Sequence, residues 1–389
     1  MGVSVTSKEF EFNDEFFLKP EIEAKGASTF QRTWFAIHNP NISKAFNDID
    51  ILAKQQKRKF QNFGFWAVGF AVLALSLAAI ESAFILPAVD AHQLPKGVST
   101  AVALAAALAG IVSCSVGLLG MGISGRKRQW LETRLICERI RQWRWQYFCA
   151  NIPKIIAASG NQQKVEEYQA TWTEDFNRFL AELRTTVADH LKSALVPSRS
   201  ADVAMWLDDG FGHSVKSLDL GGLSASSPEK ETMGELLAAY ANIRIGAQSR
   251  YAAYLVTPDG PFRTHPGAQR RTLHRAGTWI VIAILALHLA VVAGILLGSP
   301  ELKSKLVHVT AIVFAFCALG LRAVEDGLRP KEHLGRLKGY LAEITSIGDT
   351  YDPLRGDYRE RAAMVALEKA AYKEMLDFLQ NADKAKYVM

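Results

Sequence analysis

Four long apolar runs, arranged as two pairs with long polar segments around them, are the clearest pattern in this chain. The first pair covers residues 63–88 and 98–123, and the second covers 277–297 and 306–321. Each run is close to the length that a helix needs to cross the ~30 Å hydrocarbon core of a bilayer. Because lipid offers no hydrogen-bond partners, the backbone of such a run must satisfy itself within a helix. The pattern predicts an all-α, multi-pass membrane protein with four transmembrane helices.

The polar segments show helical periodicity and are separated by clusters of turn-forming residues. These boundaries predict five segments: an N-terminal arm (1–41), a first two-span unit (42–150), a central helical region (151–231), a second two-span unit (232–345) and a C-terminal helix (346–389). Both two-span units follow the same plan, so the predicted hairpins run in parallel. Inverted repeats are common in secondary transporters, so a parallel repeat favours a channel-like or scaffold-like bundle over a carrier.

Lysine and arginine are concentrated at one end of each predicted hairpin. They cluster before the first and third runs and after the second and fourth, whereas the connecting loops near 90–96 and 299–305 hold few; the net charge is +6. The positive-inside rule therefore predicts that both termini and the central region are cytoplasmic. Attraction to anionic headgroups accounts for these cations, so we expect the lipid bilayer, and no specific nucleic acid, as their partner.

The sequence carries no recognisable catalytic motif. It has no phosphate-binding glycine loop and no nucleophile elbow, and no His/Glu pair has metal-binding spacing. The four cysteines show no zinc-type spacing. We therefore expect neither enzymatic activity nor a metal or other cofactor.

Four ionisable residues within or at the ends of the runs are candidates for lining a pore: Glu81, His288, His308 and Glu325. A polar group in hydrocarbon costs a few kcal/mol unless it meets water or a partner. Glu81 and His308 could instead reach the membrane interface, and His288 could form a hydrogen bond between helices. The sequence leaves these alternatives open beside an aqueous path.

Small residues recur along two of the runs, where they would let helices approach closely. The glycines concerned are Gly110, Gly117 and Gly120 in the second run and Gly294 and Gly298 in the third. The close approach could lie within one chain or between copies. The second alternative predicts a homo-oligomer.

A helix rich in tryptophan and arginine is predicted directly after the second run. At helical spacing, one face carries Trp130, Arg134, Glu138, Arg141 and Trp145. Glu138 can pair with Arg134 at i−4 or with Arg141 at i+3. We expect this face to couple a cytoplasmic event to the second span. In the alternative interpretation, the tryptophans anchor the helix among lipid headgroups.

This helix and the span pair before it resemble the SLATT family, two-span membrane proteins associated with SMODS nucleotidyltransferases and SLOG sensors. Glu138, Arg141, Trp145 and Tyr147 carry the resemblance. The second half is similar to the DUF4231 branch of these proteins, although it lacks the tryptophans and has Pro330 inserted. The residues that match there are Gln248, Arg250, Tyr251, Glu332, Arg336 and Tyr340.

The resemblance implies a membrane effector of bacterial antiviral defence. Such a protein is expected to oligomerise and to permeabilise or depolarise the inner membrane on a cytoplasmic signal. The signal would arrive through a sensor protein or a nucleotide-signalling partner, or the central region 151–231 would itself act as the sensor. Two alternatives remain open: a membrane scaffold that recruits a cytoplasmic enzyme through helices 161–195 and 360–380, and an ion channel unrelated to defence.

Overall fold

The structure, a computed structural model, describes residues 14–122, 124–196, 227–297, 305–351 and 358–387. Throughout this part of the chain the regular secondary structure is helical, as predicted. Four of the helices are long and apolar enough to cross a membrane, judged by length and composition. The parallel hairpins and the cytoplasmic location of the polar helices stay predictions.

The first helices lead from a polar beginning through two apolar runs. In chain order they are a 3-10 turn at Asp14–Phe16, α1 (Pro20–Thr29), α2 (Trp34–Ile37), α3 (Pro40–Ile80), a π-helical turn at Glu81–Ile85, α4 (Leu86–Asp90), α5 (Lys96–Gly122), α6 (Ser124–Ala150), α7 (Ile152–Ala158) and α8 (Gln162–Ala194). The second half begins with α9 (Ser227–Ala239), a π-helical turn at Tyr240–Ile245, α10 (Gly246–Val256) and α11 (Pro266–Leu296). It continues with α12 (Lys305–Leu328), α13 (Pro330–Thr350) and α14 (Tyr358–Lys384).

The chain divides into two compact units, and each gathers separate stretches of sequence. The helical unit contains the described residues of Met1–Gln55, Gln129–Thr257 and His333–Asp383. The span unit contains those of Gln56–Arg128, Pro258–Glu332 and Lys384–Met389. The segments predicted from sequence divide the chain by order along it, whereas these units are defined by packing.

Aromatic side chains from α6 and α8 form much of the core of the helical unit. The Trp143 ring stacks on Phe179 with centroids 5.2 Å apart, and Tyr147 stacks on Trp172 at 6.0 Å. Asn161 begins α8 by accepting a hydrogen bond from the backbone N–H of Lys164 at 3.1 Å, as an N-cap residue does. The amphipathic helix predicted over 161–195 is therefore present, and its apolar stripe is buried.

In the span unit, small residues set how closely the helices pack. A Cβ atom at Gly110 of α5 would lie 3.9 Å from the Cβ atom of Ala74 in α3, which is ordinary van der Waals contact. The hydroxyl of Ser113 donates to the carbonyl oxygen of Ala67 at 2.9 Å and joins the same two helices. Between α12 and α3 the approach is closer still, because a Cβ atom at Gly320 would lie 2.5 Å from Cγ2 of Val72.

The outer surface of the span unit is strongly apolar. Its most exposed large side chains include Trp66, Leu104, Ile111, Trp279, Val281, Leu285, Leu289, Leu296 and Leu306. Exposing so much apolar surface to water is unfavourable, whereas hydrocarbon accepts it. The span unit thus has the surface of a membrane-embedded bundle.

Candidate functional site: a buried charge network

Three charged residues of the predicted face lie together on α6 in the helical unit. Glu138 accepts a hydrogen bond from Nη1 of Arg141 at 2.6 Å and forms an ion pair with Arg134. The side chains of all three are between 14% and 21% exposed. Both pairings expected from helical spacing are therefore present at once, with one carboxylate between two guanidinium groups.

Two carboxylates from the beginning of the chain extend this cluster. Asp50, on α3, lies 3.3 Å from Nη1 of Arg134. Glu15, in the 3-10 turn, forms an ion pair with Arg141 and is almost completely buried. The N-terminal segment is thereby fixed on α6 through charge. Sequence reasoning did not identify Glu15, because nothing in a single sequence indicates which distant helix an acidic side chain will meet.

Arg144, one turn after Arg141, uses its guanidinium group on backbone oxygens. It donates from Nη2 to the carbonyl oxygen of Ile37 at 2.6 Å and from Nη1 to the carbonyl oxygen of Glu15. Its guanidinium carbon also lies 4.9 Å from the ring centroid of Phe16, a cation–π distance. Burial is the main cause that lowers the pKa of Arg144 to about 10.

A second buried ion pair joins the π-helical turn at Tyr240–Ile245 to α14. Arg244 donates from Nε and Nη2 to the two carboxylate oxygens of Glu368, at 3.0 and 2.9 Å. The hydroxyl of Tyr240 donates to the same carboxylate at 3.2 Å. Neither charged side chain is more than 1% exposed. Bidentate geometry of this kind is the strong form of the arginine–carboxylate interaction.

The charges in the network stabilise one another against the cost of burial. Burial alone would raise the pKa of Glu138, but the guanidinium groups of Arg134 and Arg141 outweigh it and hold that pKa at about 2. Burial would likewise lower the pKa of Arg141, but the carboxylates of Glu138 and Glu15 raise it well above its usual value. Glu138 and Arg141 therefore stay charged at neutral pH.

A small polar cavity lies between the two ion pairs, within the helical unit. Glu138, Arg141, Gln142 and Arg244 contribute to its lining, and it has room for about one water molecule. Nη1 of Arg244 and Nε2 of Gln142 are buried and find no hydrogen-bond partner within the described part of the chain. A water molecule in the cavity would satisfy such donors.

The two tryptophans of the predicted face are buried within the protein. Trp145 is 1% exposed and packs edge-on against Tyr240 at 5.5 Å. Trp130 is 6% exposed and packs edge-on against Phe378 at 6.1 Å. Rings buried in this way pack the helical unit itself, whereas anchoring among lipid headgroups would require them to be exposed.

Polar residues of the span unit have a variety of partners. Glu81 begins a π-helical turn and accepts a hydrogen bond from Ser99 at 3.2 Å. His288 is exposed, and its Nδ1 bonds to the carbonyl oxygen of Ile284 in its own helix at 2.8 Å. His308 is exposed near the beginning of α12. Glu325 lies 3.3 Å from Arg322, one turn earlier on α12.

The predicted small-residue positions are also used differently from one another. Gly110 packs against Ala74 of α3, whereas a Cβ atom at Gly117 would meet nothing within 4 Å. Gly294 is buried on α11. The backbone of Gly120 belongs to α5. Gly298 lies outside the described residues. The glycine at 320, which makes the close approach to α3, was not singled out from the sequence.

In the predicted second copy, four of the residues that carry the resemblance have identified partners. The hydroxyl of Tyr340 donates to Oε1 of Gln248 at 3.1 Å, within the helical unit. Arg336 forms an ion pair with Glu374 of α14. Glu332 lies in the span unit, where it pairs with Arg329 at 3.2 Å.

Among the described residues, no group of three or more His, Cys, Asp or Glu side chains could hold a metal ion. Comparison with family models, with curated proteins and with solved structures found no match for this chain. The candidate site in the helical unit is the network of charges around Glu138 and Glu368.

Proposed function

We propose that this protein is a membrane effector that assembles into a homo-oligomer and permeabilises or depolarises the membrane when a cytoplasmic signal acts on its helical unit. The resemblance to SLATT effectors suggests that the membrane is the bacterial inner membrane and that the signal reports infection. A sensor protein or a nucleotide-signalling partner would deliver the signal.

The position of His288 is the observation that carries this proposal. His288 lies about midway along the run 277–297, roughly 15 Å from either end at 1.5 Å per residue. It is exposed on α11 beside Leu285 and Leu289, which are 57% and 59% exposed. An imidazole facing hydrocarbon at this depth is unfavourable. Contact with a second copy, or with a water-filled path formed between copies, removes that cost.

The charge network supports a signal-responsive role for the helical unit. Buried ion pairs contribute little net stability, but removal of one partner strongly destabilises the arrangement that contained it. A ligand or partner that competes for Glu138 would leave Arg134 and Arg141 with one carboxylate each, those of Asp50 and Glu15. The unit therefore has a small number of contacts whose disturbance would favour a different packing.

The scaffold alternative receives less support. A scaffold would recruit its partner through the helices predicted over 161–195 and 360–380, which correspond to α8 and α14 and each carry an apolar stripe. Trp172 and Phe176 of α8 are at most 1% exposed, and so are Met364 and Leu367 of α14. Stripes that are buried inside the helical unit offer no apolar surface to a partner.

Cross-linking tests the proposal directly. Cysteine replaces His288 in a Cys114→Ala background, since Cys114 is an exposed native thiol. We expect a disulfide-linked dimer in oxidised membranes with His288→Cys. The matched control is Ala283→Cys, which is half-buried and lies about 140° around the same helix. It should cross-link much less.

Activity is measured with the purified protein in phosphatidylethanolamine/phosphatidylglycerol vesicles loaded with a fluorescent dye. We expect dye release that His288→Leu changes without lowering the amount of inserted protein. A monomer in several detergents and in nanodiscs, with no cross-link at position 288, would refute the oligomeric effector.

A further inference from the structure

The segment after α14 places one aromatic ring between two helices of the span unit. Tyr387 lies against Gly64 of α3 and Gly327 of α12, two glycines far apart in the sequence. A Cβ atom at either position would overlap the tyrosine ring. The ring therefore occupies a slot that exists because both helices carry glycine there.

Further contacts fix this segment in place. The rings of Phe60 and Phe65, both on α3, pack edge-on against Tyr387 with centroids 5.7 Å away. Nζ of Lys127 donates a hydrogen bond to the carbonyl oxygen of Ala385 at 3.2 Å. The segment thus contacts α3, α12 and the beginning of α6, and all these contacts lie within the span unit.

The hydroxyl of Tyr387 is an unfavourable feature of this arrangement. It is buried and has no hydrogen-bond partner within the described part of the chain. A buried hydroxyl without a partner is destabilising, because it has lost its hydrogen bonds to water. Leaving the slot would restore them, so the hydroxyl lowers the cost of release. A phenylalanine would fill the same slot without this effect.

We propose that Tyr387 is a latch that holds α3 and α12 together, and that its release is a step in opening the membrane pathway. The second half of this inference rests on the proposed function. Tyr387 follows Lys384, the last residue of α14, by three residues. A displacement of α14, which carries Glu368, would therefore reach the ring through the covalent chain.

A double-mutant cycle tests the latch without reference to permeation. Gly64→Ala should force the ring out of its slot, so it should lower the melting temperature of the detergent-solubilised protein much as Tyr387→Ala does. In the Tyr387→Ala protein, Gly64→Ala should have little further effect, since the ring is gone. Gly69→Ala is the matched control on α3, because a Cβ atom there would meet nothing within 4 Å. Additive effects of Gly64→Ala and Tyr387→Ala would overturn the latch.

Dye leakage from phosphatidylethanolamine/phosphatidylglycerol vesicles tests the link to opening. Tyr387→Ala, Gly64→Ala and Gly327→Ala should each raise resting leakage by roughly tenfold, as a shift of ~1.4 kcal/mol in a two-state equilibrium does. Tyr387→Phe should lower leakage below that of the natural protein, and this variant keeps the packing intact. A non-additive cycle with unchanged leakage in all four variants would overturn the role of the latch in opening. The cross-linking of His288→Cys tests the oligomer separately.

Discussion

Arg244 and Glu368 of the helical unit are at most 1% exposed, whereas Trp279 and Leu296 of the span unit are 70% and 80% exposed. Buried charge at one place in the helical unit and an exposed apolar surface on the span unit are each a local reversal of the usual distribution. In the span unit, lipid accounts for the reversal, since hydrocarbon accepts apolar side chains. In the helical unit, the reversal can persist because Arg244 and Glu368 meet each other in bidentate geometry.

The two reversals should respond differently to mutation. Stability of the helical unit depends on specific pairs, in which one missing charge leaves its partner unpaired. Stability of the span unit depends on shape, because lipid is as apolar as leucine and helix association requires close packing. Charge substitutions should therefore have their largest effects in the helical unit, and changes at glycine should have theirs in the span unit.

The largest effect is expected from Glu368→Gln. The change keeps the shape of the side chain but leaves the buried guanidinium of Arg244 without its counter-charge. We expect a loss of about 3–5 kcal/mol in the free energy of unfolding of the helical unit, measured by denaturant titration in detergent. Asp189→Asn is the matched control, because Asp189 pairs with Lys192 at 3.2 Å and both are well exposed. It should cost at most ~1 kcal/mol. Equal effects of the two substitutions would contradict the expectation that the buried pair matters more for stability than the exposed one.

Acid should weaken the helical unit through Glu138. The pKa of Glu138 is held at about 2 in the folded protein, below the value of 4.5 expected without its partners. A carboxylate with a depressed pKa stabilises the fold fully above its unfolded pKa, and this stabilisation is lost as the pH falls from 4.5 towards 2. The loss is on the order of 3 kcal/mol. Melting temperatures across this range should fall more steeply for the natural protein than for Glu138→Gln. Parallel curves would show that Glu138 is not stabilised in this way.

Local features of both units could be predicted from the sequence. The spans follow from composition and length. The pairing of Glu138 with Arg134 and Arg141 follows from helical periodicity, since residues three and four apart are neighbours on a helix. A single sequence is enough for features of this kind, because the residues that form them lie close together along the chain.

The partners that complete the site are distant along the chain. Arg244 and Glu368 are 124 residues apart, and the arginine lies in a π-helical turn that helical periodicity does not predict. An arginine between two isoleucines, at positions 243 and 245, was a signal of burial that sequence reasoning did not use. The Tyr387 slot depends on two glycines from different helices, Gly64 and Gly327, and nothing in a single sequence indicates that one ring will meet both.

Packing in the span unit should be sensitive at Gly320 and tolerant at Gly117. Gly320→Ala would place a Cβ atom 2.5 Å from Val72, so α12 and α3 must separate or repack. We expect a loss of ~1–3 kcal/mol, typical of overpacking. Gly117→Ala has open space around its Cβ atom and should be nearly neutral or slightly stabilising. Thermal unfolding in one detergent compares the two. A Gly117→Ala protein less stable than Gly320→Ala would contradict the close approach of α12 to α3 at Gly320.

The smallest effect on stability is expected from Glu325→Gln. This substitution removes a charge from the span unit, where we expect charge to matter less for stability than in the helical unit. Glu325 and Arg322 are 42% and 69% exposed, and Asp326 also lies 3.6 Å from Arg322. Arg322 therefore keeps a carboxylate partner, and the loss should be at most ~1 kcal/mol.

With folding preserved, the reversal potential across a planar bilayer under a salt gradient reports on permeation alone. If Glu325 lines the pathway, removing its charge should lower the preference for cations over anions, as loss of an acidic side chain from a pore does. An unchanged reversal potential in a conducting protein would place Glu325 outside the pathway, with Arg322 as its local partner.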